Sequence, residues 1–324
     1  MDVFRLIDAN LARLGEALRV IEDVCRFELC NSNLTHQCQE LRHQLKAATQ
    51  QFNTADLVNA RSIGTDTRAK SNVPQRLDLN DLITANIKRA TQAARCLEEA
   101  THHQPFTHLR YDCYALEQAI WAHVIRAPLN GPGIYVVSDS PEHLLDMANH
   151  PGVPIVQYRN KSASKADIFS ICQPLAKRMQ DRPALFMIND HVDIARAIGA
   201  DGVHVGQDDI PTAHIRSQLG HTKLIGRTTH SMDQGLLAAN DGADYVSVGP
   251  IWDTPSKPGR PGIGLDYLKK AHELGIPFVA IGGISADTIH HILPHTPPLI
   301  GAIRATTNID ALWSALTTPQ PSPS

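Results

Sequence analysis

From residue 131 to about residue 318 the chain alternates short apolar runs with amphipathic helical stretches, eight times over. The runs fall at residues 134–137, 154–157, 184–188, 202–205, 223–226, 245–248, 278–281 and 299–303. Runs this short and this apolar suit parallel strands covered on both faces, because crossover helices leave neither face to water. Eight strand–helix units in about 190 residues predict a closed (β/α)8 barrel at the compact end of the range for this α/β fold. Such a barrel places its chemistry where the strands end, on the loops leading into the helices.

The first 128 residues predict something different. Val3, Leu6, Ile7, Leu11, Leu14, Leu18, Ile21 and Val24 recur at helical steps. Ala9, Asn10, Arg13, Ala17, Arg19 and Glu22 return as Ala85, Asn86, Arg89, Ala93, Arg95 and Glu98, and Leu34, Cys38 and Leu41 return as Leu109, Cys113 and Leu116. Two similar helical hairpins predict a small all-α bundle over residues 1–128, joined through the polar stretch at 60–75. Arg19–Glu22 and Arg95–Glu98 are spaced for helix-surface pairs; Asn10, Arg13, Asn86 and Arg89 could instead share a polar groove. The break at Pro128-Leu129-Asn130-Gly131-Pro132-Gly133 marks a barrel domain from 129 to 318, and the Pro/Ser-rich 319–324 reads as a disordered tail.

The predicted strand ends are rich in charge. After the second come Gln157, Tyr158, Arg159, Asn160 and Lys161, of which Gln157, Arg159 and Lys161 share a face. Arginine and lysine together suit a polyphosphate. The third strand ends on Asn189-Asp190 and the fourth leads to Asp208-Asp209. Carboxylates delivered to one end of a sheet suit Mg²⁺, although Asp190 could simply cap its helix. The fifth ends in Arg227-Thr228-Thr229-His230, and the sixth runs into Thr254-Pro255-Ser256-Lys257. Gly282-Gly283 after the seventh and Ile303-Arg304 after the eighth occupy the usual phosphate cradle of these barrels.

Composition narrows the class. A net charge of −3 gives no nucleic-acid signal, and no apolar stretch is long enough to span a membrane or serve as a signal peptide. Six cysteines without a CxxC pair make neither a disulfide framework nor a zinc site. These features predict a soluble cytoplasmic protein with reduced thiols, and they are compatible with a homo-oligomer.

The segments VQYRNK, INDHVDIARAIGADGVHVGQDD, GADYVSVGPIWDTPSK, VAIGGIS and GAIRAT, in this order, resemble the thiamine-phosphate synthase family over nearly the whole barrel. The helical part resembles the domain that precedes the barrel in some bacterial members. The resemblance implies Mg²⁺-dependent condensation of 4-amino-2-methyl-5-hydroxymethylpyrimidine diphosphate with 4-methyl-5-(2-phosphoethyl)thiazole, giving thiamine phosphate and pyrophosphate. It implies pyrimidine-diphosphate contacts at Gln157, Tyr158, Arg159, Asn160, Lys161, Asn189, Thr228 and Lys257, with Arg159, Lys161, Lys257 and Thr228 in catalysis. It implies thiazole-phosphate contacts at Thr254, Pro255, Ser256, Gly283, Ile303 and Arg304, and metal ligands at Asp190 and Asp209, with Asp208 at a variable acidic position. Arg227 and Arg304 replace the family's usual small residues, Val and Ser. Two other readings remain at this stage: a related barrel that isomerises a thiazole phosphate with His230 as base, and a non-catalytic sensor of pathway ligands.

Overall fold

The computed structural model describes residues 3–61, 75–254, 259, 261–303 and 308–318. The chain forms two compact units, Met1–Val124 and Ile125–Ser324.

The first unit contains helices α1 (Val3–Asp23), α2 (Ser32–Thr49), α3 (Thr54–Asn59) and α4 (Leu79–Thr101), and most of α5 (Gln104–Arg126). Side-chain caps fix the helix starts, with Asn31 accepting from the Leu34 amide and Asp78 from the Asp81 amide. Alpha-helical geometry after α1 gives way to a π-helical turn, Val24–Glu28. All five helices feed one apolar core: Leu14 and Leu18, Leu41, Leu57, Ile83 and Leu97, and Phe106 and Leu116 are all buried. Burying each such side chain stabilises the fold by roughly 1.5–3 kcal/mol. The small residues Ala17, Ala90, Ala93 and Ala94 are also buried, on α1 and α4, which pack against each other.

The sequence duplication is visible in this unit. Cys38 and Cys113 are both fully buried, as befits core thiols, and burial pushes the Cys113 thiol up to about 12. Asn10 and Asn86 are buried too, and each is satisfied largely within its own helix. Their Nδ2 atoms donate to the carbonyls of Leu6 (2.8 Å) and Leu82 (2.9 Å), and their Oδ1 atoms accept from Arg13 (3.4 Å) and Arg89 (2.8 Å). Asn10 Nδ2 also donates to Cys96 Sγ on α4 at 3.2 Å, so one of the four residues considered for a shared groove reaches the helix of the other hairpin. Glu22 and Glu98 do pair with Arg19 (3.9 Å) and Arg95 (3.2 Å), but closer partners come from other helices: Arg42 at 2.5 Å and Arg110 at 2.8 Å.

The second unit is the expected barrel. Its strands are β1 (Gly133–Ser138), β2 (Ile155–Tyr158), β3 (Leu185–Asn189), β4 (Gly202–Val205), β5 (Leu224–Thr229), β6 (Tyr245–Val248), β7 (Phe278–Ile281) and β8 (Leu299–Ala302). They close in sequence order, and every neighbouring pair is parallel, β8 back to β1 included. Helices α6 (Pro141–Met147), α7 (Lys165–Met179), α8 (Val192–Ile198), α9 (Thr212–Leu219), α10 (Met232–Asn240), α11 (Asp266–Lys270) and α12 (Ile309–Thr317) accompany them. Strand alternation sorts the side chains. Val136, Val156, Phe186, Val203, Ile225, Val246, Phe278 and Ile300 belong to the large apolar core of this unit, whereas Tyr135, Ile155, Met187, Leu224, Tyr245, Val279 and Leu299 form a second, inner cluster. Leu129, from the turn before β1, joins the inner cluster. Strand β5 runs to Thr229, so Arg227 and Thr228 lie within the sheet rather than beyond it. Among the described residues no helix is long and apolar enough to cross a membrane.

Candidate active site

A cavity of about 540 Å³ opens among the strand ends of the barrel. Strand alternation explains its walls. Val137 follows Tyr135 by two positions on β1, Gln157 follows Ile155 on β2, Asn189 follows Met187 on β3 and Ser247 follows Tyr245 on β6, so the inner face changes from apolar to polar toward the strand ends. Arg159 and Lys161 beyond β2, Asp190 beyond β3, Asp208 beyond β4, Thr228 on β5, Thr254 beyond β6 and Ile303 beyond β8 complete it.

Asp190 does not cap α8. The N-cap position of that helix is His191, which makes no side-chain cap, while Asp190 sits in the left-handed region at φ 61° and its Oδ2 accepts from the Lys161 ammonium. Aspartate tolerates that backbone better than most residues. The loop after β4 is held from several sides. Asp209 Oδ2 accepts from the Gly206 amide at 2.6 Å, and Gln207 Nε2 donates to the Thr228 carbonyl. Arg227 donates to the carbonyl of Ile210 at 2.8 Å and to those of Gln207 and Asp209 at 3.3 Å each. The charge that replaces a small residue at 227 thus spans the backbone of the acidic loop.

Several expected residues lie elsewhere. Tyr158 alternates away from Gln157 and packs in the large apolar core, so its side chain does not line the cavity. Asn160 is spent on its own loop, its Oδ1 accepting from the amides of Ser162 and Ala163, both at 3.0 Å. Of the two acids after β4, Asp208 lines the cavity wall and Asp209 closes the turn. Gly282 lines the cavity and Gly283 does not. Both have positive φ (102° and 74°), and a Cβ would meet Pro250 Cα at 2.5 Å from Gly282 or Trp252 Cβ at 2.8 Å from Gly283. Backbone geometry alone therefore demands glycine at both places. Pro255, Ser256, Lys257 and Arg304 lie outside the described residues, as does the 319–324 tail.

Tyr135, His204 and Ser247 also line the cavity, and none of them stood out in the sequence. Their signal was nonetheless present: GVHV and YVSV each carry one polar residue at an inward position of an otherwise apolar strand. His230 lines the cavity as well, and its Nδ1 faces the Gly249 carbonyl at 2.5 Å.

The acids fit a hard cation. Among the described residues no three His, Cys, Asp or Glu side chains gather to hold a metal unaided. Asp190 and Asp208 each present a carboxylate to the cavity, and Asp209 lies in the same loop as Asp208; such a donor set would suit Mg²⁺ with phosphate and water completing its shell.

Comparison with known proteins agrees with this arrangement. The thiamine monophosphate synthase family model matches residues 134–305, and the ThiD2 family model matches residues 5–119. A thiamine-phosphate synthase of Thermosynechococcus vestitus is 37% identical over 317 residues, covering 93% of this chain and 89% of the relative. One from Gloeobacter violaceus is 35% identical over 316 residues, covering 94% and 92%. A thiamine phosphate pyrophosphorylase structure from Pyrococcus furiosus superimposes with a TM-score of 0.52 at 27% identity, covering 60% of this chain and all of that one. With one family model spanning the barrel and relatives matched across both units, this chain belongs to the thiamine-phosphate synthase family, transferases of thiamine biosynthesis.

Proposed function

We propose that the barrel joins 4-amino-2-methyl-5-hydroxymethylpyrimidine diphosphate to 4-methyl-5-(2-phosphoethyl)thiazole, releasing pyrophosphate and forming thiamine phosphate. The observation that carries this reading is the gathering of Gln157, Arg159, Lys161, Asn189, Asp190 and Thr228 around one cavity, from three strand ends. Arg159 and Lys161 supply the cationic wall that a diphosphate requires, and the Arg159 guanidinium offers a planar fork for its oxygens. Asp190 and Asp209 would hold Mg²⁺, with Asp208 within the same loop. Bound there, the ion would neutralise charge building on the diphosphate as it departs.

The chain's own groups then divide the remaining work. Gln157 orients the pyrimidine, and Thr228 donates to a diphosphate oxygen. Lys161 pairs with Asp190 and would turn toward the diphosphate on binding. The amino substituent of the pyrimidine delocalises positive charge left on its methylene carbon, which favours a dissociative substitution. The thiazole nitrogen carries no proton, so attack needs no base. Positioning and stabilisation of the leaving group therefore account for the protein's part. Thr254 and Ile303 stand on the cavity wall where the thiazole phosphate would lie; Ser256, Lys257, Gly283 and Arg304 would complete its surroundings and the grip on the leaving group. The test is formation of thiamine phosphate and pyrophosphate in equal amounts from the two substrates by the purified protein.

A further inference from the structure

Five buried side chains at the cavity form one continuous hydrogen-bonded wire. Gln157 Nε2 donates to Tyr135 Oη at 2.5 Å, and Tyr135 Oη lies 2.8 Å from Tyr245 Oη. Tyr245 Oη is 3.0 Å from His204 Nδ1, and His204 Nε2 is 3.0 Å from Thr228 Oγ1. Ser247 Oγ is a longer neighbour of the same nitrogen, at 3.5 Å. The two ends, Gln157 and Thr228, both line the cavity. Room for the middle link is built into the strand beside it: a Cβ on Gly226 would lie 2.3 Å from Tyr245 Oη and 2.5 Å from His204 Nδ1. Burial pushes the pKa of both phenols up, so each keeps its single proton to donate.

Proton counting leaves such a wire two directions. A neutral imidazole has one donor and one acceptor nitrogen, and each hydroxyl has one hydrogen. In the first direction Gln157 donates to Tyr135, Tyr135 to Tyr245, and Tyr245 to Nδ1. Nε2–H then donates to Thr228, whose own hydrogen is left for the cavity, and Gln157 shows its carbonyl oxygen to the ligand. In the second direction every bond reverses. Thr228 spends its hydrogen on Nε2, Nδ1–H donates to Tyr245, and Tyr135 donates to the amide oxygen, so Gln157 shows only N–H groups to the ligand.

We infer that Tyr135, Tyr245 and His204 are positioning residues that couple the two ends of the cavity, so that the group read by Gln157 decides whether Thr228 can donate to an anion. A ring bearing an amino donor selects the first direction and gains the Thr228 donor for its leaving group. A ring bearing an oxo acceptor at the same place selects the second: it is paired at Gln157 but loses the Thr228 donor, so it is penalised at its leaving group. Discrimination by a hydrogen-bonding site of this kind is stronger than shape alone provides. The ligand half of this inference rests on the proposed reaction; the wire itself does not.

The experiment reads the tautomer of His204 from the ¹⁵N shifts of its ring in the full-length protein, assigned by their loss in His204→Asn. The unaltered, ligand-free protein should carry its proton on Nε2. Gln157→Glu, with the introduced carboxylate ionised, ends the wire in a group that only accepts, and the proton should move to Nδ1. Adding Tyr245→Phe cuts the wire and should abolish that response. An unchanged tautomer in Gln157→Glu, or a change that persists with Tyr245→Phe, overturns the inference. If Gln157→Glu does not fold, the unaltered protein supplies the same reading with ligands. 4-Amino-2-methyl-5-hydroxymethylpyrimidine should keep the proton on Nε2 and its 4-oxo analogue should move it, whereas identical tautomers with both bound overturn the inference. Failure of the 4-amino pyrimidine to bind speaks against the proposed reaction, and the ligand-free proteins then decide whether the wire exists.

Discussion

Arg126 reaches Asp244 across 118 positions of sequence, its Nε and Nη2 donating to Oδ1 at 2.8 and 2.5 Å. Asp244 is nearly fully buried and also accepts from Arg216 at 2.6 Å and from the Ile225 amide at 2.7 Å, both on Oδ2. The last residues of α5 thus belong with the barrel, together with Leu129 in its inner cluster and Ile125 packed against it.

This relationship decides where the chain can be divided. A chain beginning at Ile125 should fold and retain turnover, whereas one beginning at Asn130 loses Arg126 and Leu129. Arg126→Met in the full chain should cost about 1–3 kcal/mol, the range for leaving a buried acceptor short of a charged donor. Thermal unfolding of the barrel transition checks this; equal midpoints for chains starting at Ile125 and Asn130 would contradict it.

Arg227 should act on metal affinity rather than on the chemical step. Its guanidinium holds three carbonyls of the loop that bears Asp208 and Asp209. Arg227→Met should raise the Mg²⁺ concentration at half-maximal turnover by roughly tenfold, the equivalent of about 1.4 kcal/mol lost from charged hydrogen bonds. Turnover at saturating Mg²⁺ should change by only a few-fold. A Mg²⁺ titration of both proteins separates these outcomes.

The legibility of the two halves differed for physical reasons. All eight strands were readable because each is an apolar run between polar breaks, and the period of two told which side chains face inward. The role of Arg227 was not readable, since its partners are main-chain carbonyls that no residue pattern advertises. Glu22 and Glu98 were read as surface pairs from their helical spacing, yet their closer arginines come from elsewhere in sequence and depend on how helices pack. Tyr158 shows the reverse case: the resemblance groups it with its neighbours, while alternation alone turns its side chain away from that of Gln157 and into the core.

The helical unit should be acid-sensitive through Glu98. Burial would raise its pKa, but hydrogen bonds from Arg110 and Thr107 and the charges of Arg110 and Arg95 outweigh that and hold it below the ordinary 4.5. A carboxylate lowered in the folded state contributes stability that is present above its unfolded pKa and is lost as pH falls through the folded one. Arg110→Met should therefore flatten the loss of stability below about pH 4.5 and reduce stability at neutral pH. Denaturant melts of the helical transition at pH 7 and pH 3.5 check the sign.

The two acids after β4 should separate by role. Asp209 ties its loop to the Gly206 amide and is the acid that the proposed reaction assigns to the metal, whereas Asp208 faces the cavity. Asp209→Ala should abolish Mg²⁺-dependent turnover, and Asp208→Asn should weaken it by no more than about tenfold, as for one outer charge lost near a bound cation. Comparable losses in the two variants would reassign the ligand.

The decisive measurement is product formation by the full-length protein with each component omitted in turn. The proposed reaction requires thiamine phosphate and pyrophosphate in equal amounts only when the pyrimidine diphosphate, the thiazole phosphate and Mg²⁺ are all present, and no turnover in a folded Asp190→Ala protein. Thiamine phosphate formed at an undiminished rate by Asp190→Ala without added Mg²⁺, or no product at all from the unaltered protein with all three present, would contradict it.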